Sequence, residues 1–180
     1  TISPLDGRYL KNTENLSDFF SEYALIRYRI KVEIEYLIAL SIEEGVKELG
    51  PISENDKKKL RKIYTSFNLE NAKRVKAIEV ATNHDVKAVE YYISNIFQYI
   101  GIKSYTPFIH FGLTSQDINT TANIFCFKKG IMKCIIPCLK IMVYELDKLS
   151  YNMRNDVMLS FTHGQPAVPT TMGKEFSVFL

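Results

Sequence analysis

Four short segments combine imidazole, hydroxyl, guanidinium and carboxylate groups with residues that expose them. The most pointed is Ser160-Phe161-Thr162-His163-Gly164-Gln165-Pro166. Gly164 and Pro166 cannot continue a helix, so the His163 imidazole is expected on a tight non-helical bend. Imidazole is the side chain whose ordinary pKa suits proton transfer near neutrality. A glycine beside it lets a ligand or a neighbouring backbone approach closely.

The second segment is Thr82-Asn83-His84-Asp85-Val86-Lys87. Thr82 or Asn83 is expected to cap the helix that follows. That places free backbone N–H groups and the positive dipole end beside His84, an arrangement that attracts anions. The third is Thr114-Ser115-Gln116-Asp117, two hydroxyls opening another helix and suited to a small carboxylate. The fourth is Ser3-Pro4-Leu5-Asp6-Gly7-Arg8-Tyr9, where the Asp-Gly turn presents Arg8 and Tyr9 together. Arginine grips a phosphate or carboxylate through two parallel hydrogen bonds. Each segment alone also fits an ordinary turn or capped helix start. Together, with no metal-ligand cluster and no glycine-rich nucleotide loop, they suggest a pocket for a polyanionic small molecule.

The elements that must position these groups read as helices. Over 22–42, apolar residues recur every turn in two stripes, Leu25-Tyr28-Val32-Tyr36-Leu40 and Ile26-Ile30-Ile34-Leu37. This helix is expected to pack on two sides. Gly50-Pro51 breaks the pattern, and Ser53 caps a helix whose apolar face is Leu60, Ile63, Tyr64 and Phe67. Helices are expected over 69–80 and from 85 to Gly101, the latter ended by the glycine. Residues 103–113 read as irregular, and His110 there is expected to pack or hydrogen-bond structurally. A long helical pattern covers 114–155, kinked or divided at Pro137. Residues 155–168 read as extended or looped, and a last helix starts near 169–170 with no stop before Leu180. No alternating strand pattern of useful length stands out. The fold class is all-α.

Composition narrows the function. The chain has 180 residues, 46% hydrophobic and 24% charged, enough for one sizeable core. A net charge of +3 is too weak to argue for nucleic acid. The basic run Lys57-Lys58-Lys59, Arg61, Lys62 reads as a solvated helix face. No apolar run reaches membrane-spanning length, and the N-terminus lacks a secretory pattern. Cys126, Cys134 and Cys138 have no framework spacing. They are expected to be small packed groups in a reducing compartment rather than metal ligands.

Ser-Pro-x-Asp-Gly-Arg-Tyr, Thr-Asn-His-Asp-Val-Lys-Ala-Val-Glu-Tyr, Phe-Ile-His-Phe-x-x-Thr-Ser-x-Asp-Ile-Asn and Thr-His-Gly-Gln-Pro-Ala-x-Pro-Thr-Thr-x-Gly-Lys-Glu stand here in one order. In that order they resemble the adenylosuccinate lyases of the fumarase/aspartase superfamily. The resemblance spans residues 3–175. It implies a helical N-terminal domain, 1–111, followed by the start of a long helix bundle, 112–180. The implied activity is β-elimination of fumarate from adenylosuccinate, giving AMP, and from the succinylated carboxamide intermediate of purine synthesis. No cofactor or metal is implied. A cytoplasmic homotetramer with shared active sites is, with no nucleic-acid or membrane partner.

By the same resemblance His163 is the general acid, and Thr162 contacts the ligand with Gln165 behind it. Thr114 and Ser115 bind a succinyl carboxylate, and Arg8 and Tyr9 hold the phosphate end. Asn83, His84 and Asp85 line the pocket, with His84 a second catalytic candidate and Lys87 a secondary one. The family's base is a serine in a Ser-Ser-x-Met-Pro-x-Lys-x-Asn loop, and no such motif occurs here. The chain is therefore expected to be the N-terminal part of a longer protein and inactive alone. The rival readings are another superfamily lyase, such as an argininosuccinate lyase, and a non-catalytic helical scaffold.

Overall fold

The computed structural model describes residues 2–180. Two short helical turns, α1 (Leu10–Thr13) and α2 (Ser17–Phe20), precede α3 (Glu22–Leu40), α4 (Glu54–Thr65), α5 (Leu69–Thr82) and α6 (Asp85–Tyr99). Further on come α7 (Ser115–Gly130), α8 (Ile136–Asn152), strands β1 (Val157–Thr162) and β2 (Gln165–Thr171), and α9 (Met172–Ser177). The chain divides into two compact units, Thr1–Gly130 and Ile131–Leu180.

The first unit is built around α3. Ser21 caps it by accepting the Ala24 N–H. The two stripes make it a shared wall. Ile30, Ile34 and Leu37 pack with Leu60, Val75, Val89, Ile93 and Phe97 from α4, α5 and α6. On another side Tyr28 meets Ala122 and Cys126 of α7. Helix α6 ends in a Schellman motif: Gly101 takes φ +76, and the Ile102 N–H returns to the Phe97 carbonyl at 2.9 Å. The basic run lies on a solvated face as expected, with Lys57 on Glu54, Lys59 on Asp56 and Arg61 on Glu35.

Helix α7 packs with the first unit. Ile118, Ala122 and Cys126 bury one face of α7 in the first unit, which carries that unit to Gly130. The helical pattern over 114–155 is divided near Pro137, as expected. A π-turn occupies Ile131–Ile135, directly ahead of Pro137. Pro137 has no N–H to donate four residues back, and its ring crowds that carbonyl, so the regular ladder cannot run through.

In the second unit the stretch expected to be extended or looped is a strand pair. β1 and β2 pair antiparallel, from Val157 opposite Thr171 to Thr162 opposite Gln165, with an irregularity between Leu159 and Phe161. Pro166 and Pro169 sit in β2 without harm, because a two-stranded ribbon consists only of edges. Their presence, and the irregularity, hid the alternation. The ladder also delays the last helix: Thr171 is still paired, and its hydroxyl then accepts the Lys174 N–H at 3.2 Å. Helix α9 stops at Ser177 instead of continuing to Leu180. Gly173 fits closely against the end of α8, where its N–H donates to the Met153 carbonyl and its own carbonyl accepts from Ser150. Cys126 is buried as expected, whereas Cys138 is exposed on α8, a helix with no buried residue.

Candidate active site

His84 is itself the N-cap of α6. Its Nδ1 accepts the Lys87 N–H at 3.2 Å. Neither Thr82 nor Asn83 has that role. Asn83 instead closes α5 in the left-handed conformation, φ 50, a position asparagine tolerates better than most residues. One residue thus ends a helix and the next begins another, which is why the imidazole stands clear of both.

This cap decides the chemistry of the ring. A backbone N–H can only donate, so Nδ1 must present its lone pair, and the neutral imidazole carries its proton on Nε2. Nε2 faces the Ser115 hydroxyl at 3.5 Å. His84 therefore offers an N–H outward beside the first residue of α7. The Asp117 carboxylate accepts the Thr114 N–H at 2.8 Å and holds this helix start in place. The Thr114 side chain is exposed, and its hydroxyl makes no hydrogen bond among the described residues. The result is a small surface with donors from His84, Ser115 and Thr114, next to two helix N-termini.

Asp85 faces inward from that surface. Partial burial works to raise its pKa. The Val86 N–H at 2.8 Å and the Arg29 guanidinium outweigh burial and hold the carboxyl below its ordinary value. Asp85 is therefore an anion already committed to a cation of the protein. Lys87 is likewise engaged, with Nζ 2.6 Å from Glu90.

Arg8 and Tyr9 are displayed on a separate turn, held by Asp6 accepting the Ser3 N–H at 2.8 Å. The Arg8 guanidinium lies over the Tyr9 ring, 5.5 Å from its centroid. Both residues are exposed, and neither hydrogen-bonds to the His84–Ser115 group among the described residues.

In the second unit, His163 and Gly164 are the two-residue loop of the hairpin, with φ 50 and φ 74. Positive φ at both central positions defines a type I′ turn, the connection whose twist matches paired strands. His163 occupies the place more often taken by Asn or Asp, so its ring projects exposed from the tip. Thr162 and Gln165 flank it as the last ladder pair, and both are exposed.

Sequence reading missed the partners behind the site. Arg29 bridges Asp85 and Asn119, and Glu33 holds His110 through both carboxylate oxygens. The available signal was a pair of charges, Arg29 and Glu33, inside an otherwise apolar helix face. His110 hydrogen-bonds structurally, as expected.

A family model described as a lyase matches residues 7–180, and the chain belongs to that family. Among curated proteins it is similar to the adenylosuccinate lyase of Dictyostelium discoideum, with 49% identity over 99% of this chain and 39% of that protein. The adenylosuccinate lyases of Legionella pneumophila (strain Corby) and Escherichia coli (strain K12) are 42% and 37% identical over 99% and 98% of the chain. The chain spans about two fifths of the length of these relatives, 39–40%. Among solved structures, a fumarate lyase from Mesorhizobium sp. BNC1 superposes with a TM-score of 0.69 at 21% identity, covering 92% of this chain and 36% of that one. The β-carboxy-cis,cis-muconate cycloisomerase from Acinetobacter calcoaceticus sp. ADP1 gives 0.61 at 19% identity, over 92% and 37%. At such identities these two matches speak to the fold.

Proposed function

We propose that the whole protein is an adenylosuccinate lyase. It removes fumarate from adenylosuccinate to leave AMP, and acts in the same way on the succinylated carboxamide intermediate of purine synthesis. The observation that carries this reading is the register of four motifs along a chain similar to adenylosuccinate lyases over 99% of its length. The reaction is a β-elimination. A base takes the proton beside a succinyl carboxylate, the electron pair forms the carbon–carbon double bond, and the carbon–nitrogen bond breaks. The departing nitrogen then needs a proton.

His163 supplies that proton. A hairpin tip suits the task, because the ring is free of intramolecular hydrogen bonds among the described residues and is aimed by a rigid turn. Thr114 and Ser115 hold a succinyl carboxylate. His84 donates from Nε2 to the same anion, a binding and orienting role that fits its fixed tautomer. Asn83 shapes the turn that presents His84, and Asp85 and Lys87 brace it. Arg8 and Tyr9 hold the phosphate, while Thr162 and Gln165 contact the ligand beside His163. The base is the loop serine that the resemblance implies, and it lies outside this sequence. The bundle domain beginning at 112, a homotetramer with shared sites and a cytoplasmic setting belong to the same reading. In support of assembly, α8 exposes Leu139, Ile141, Met142 and Tyr144. Apolar side chains exposed around a helix without a buried residue call for partners.

The test is His163→Ala in the whole protein, followed by the absorbance change of adenylosuccinate. Turnover should fall by about 10²-fold or more while the substrate still binds, because the proton moves only in the transition state. Near-normal turnover, or a loss explained by dissociation of the assembly, would remove His163 from the acid role.

A further inference from the structure

The groups buried beneath the donor surface are unusual for a helix core. Arg29 and Glu33 lie one turn apart on α3, 7% and 2% exposed, among isoleucines and leucines. Burying ionisable groups costs solvation, which each of these two offsets through its own partners and not through the other. Each charge reaches a different part of the chain. Arg29 bonds Asp85, the first residue of α6, and donates from Nε to Asn119 of α7 at 2.8 Å. Glu33 takes the His110 backbone N–H on one oxygen at 3.1 Å and the ring Nδ1 on the other at 2.6 Å.

His110 is held in a conformation that non-glycine residues avoid, with φ 60. Such strain persists only where the surroundings over-determine it. On its far side Nε2 faces Glu90 of α6 at 4.0 Å. The His110 carbonyl accepts the Leu113 N–H at 3.3 Å, which forms the turn delivering Thr114 and Ser115. Two clamps on one helix thus set the start of α6, with His84, and the start of α7, with Ser115.

We propose that Arg29 and Glu33 are positioning residues that fix the spacing between His84 and Ser115, acting through Asp85, Asn119 and His110 without touching a ligand. Only the inhibitor arm of the test rests on the lyase reading. In the whole protein, Glu33→Gln keeps the side-chain shape but leaves one acceptor oxygen where His110 engages two. Amide hydrogen exchange over 110–117 should accelerate about tenfold or more, with exchange in α4 unchanged. Inhibition by fumarate should weaken by about tenfold, and inhibition by AMP by less than about twofold, since misplaced donors affect one end of the ligand. Should Glu33→Gln fail to fold, Arg29→Lys is measured in the same way. It retains the charge but lacks the fork that spans Asp85 and Asn119. Unchanged exchange over 110–117, or equal weakening of both inhibitors, overturns the proposal. If the unmodified protein binds neither fumarate nor AMP, the lyase reading fails, and the exchange result still decides the positioning role.

Discussion

The α3-centred unit and the hairpin unit solve the same problem in opposite ways. Both must hold a polar side chain at a defined point. In the first, His84 and Ser115 rest on helix starts backed by a closed core in which Ile30, Ile34, Val89, Ile93 and Phe97 have no exposed surface. In the second, His163 is aimed by the local conformation of two residues, and the strands and α8 leave Val157, Phe161, Val168 and Ile141 exposed. A site built on long-range packing and one built on a local turn respond differently to substitution. The first is sensitive to the core, the second to the dihedral angles of the tip.

Phe97→Ala should produce the largest effect. It removes a fully buried ring from the core of the first unit and should cost about 3–5 kcal/mol in chemical denaturation. A loss under about 1 kcal/mol would mean that the first unit is not the rigid partner in the comparison.

Gly164→Ala comes next, at about 1–2 kcal/mol, because Gly164 sits at φ 74 where a Cβ is strained. Open space surrounds that position, so the strain is conformational and not a clash. Turnover should drop while the stability of the first unit, followed by hydrogen exchange in α6, stays level. If exchange in α6 rises too, the hairpin is not independent of the core.

Asn68→Ala removes the cap of α5, whose side chain accepts the Asn71 N–H at 3.0 Å, and should cost about 1 kcal/mol. Thermal denaturation should record that loss with turnover nearly unchanged, since the cap lies at the end of α5 away from Asn83.

The smallest effect concerns pH. Arg61 bonds Glu35 through Nε and Nη2 at 2.9 and 3.0 Å and holds its carboxyl below the ordinary value, assisted by the Tyr64 hydroxyl and opposed by partial burial. A depressed folded pKa stabilises above the unfolded value, and the gain disappears as pH falls through the folded one. Unfolding free energies measured from neutral pH to about pH 3 should therefore decline less steeply in Arg61→Ala than in the unmodified chain. Identical slopes would show the pair to be fully screened. Burial and Glu35 also push the Tyr64 hydroxyl up to about 12, so its phenolate absorbance should emerge only near that pH.

Much of the first unit was legible because helices announce themselves locally. The double stripe on α3, the Ser53 cap and the Gly101 stop depend on residues within one or two turns of each other, and all three stand in the fold. The four motifs were equally visible, and the family match over 7–180 agrees with them. The hairpin was not legible, because prolines in β2 and the irregularity after Leu159 erased the period of two. The cap of α6 was expected at Thr82 or Asn83 and falls on His84 for a similar reason. Each of these residues can cap, and only the backbone path between α5 and α6 selects which one does.

By itself, then, the sequence determined the helical periods, their stops and the residue types available to bind an anion, since these follow from spacing along the chain. The tertiary structure decided that His84 presents Nε2–H toward Ser115, that Arg29 serves Asp85 and Asn119 together, and that Glu33 holds His110. Those contacts join residues 31, 56, 90 and 77 positions apart. Hydrogen bonds and ion pairs act over a few ångströms, so no local pattern specifies a partner so distant in sequence until packing brings it near.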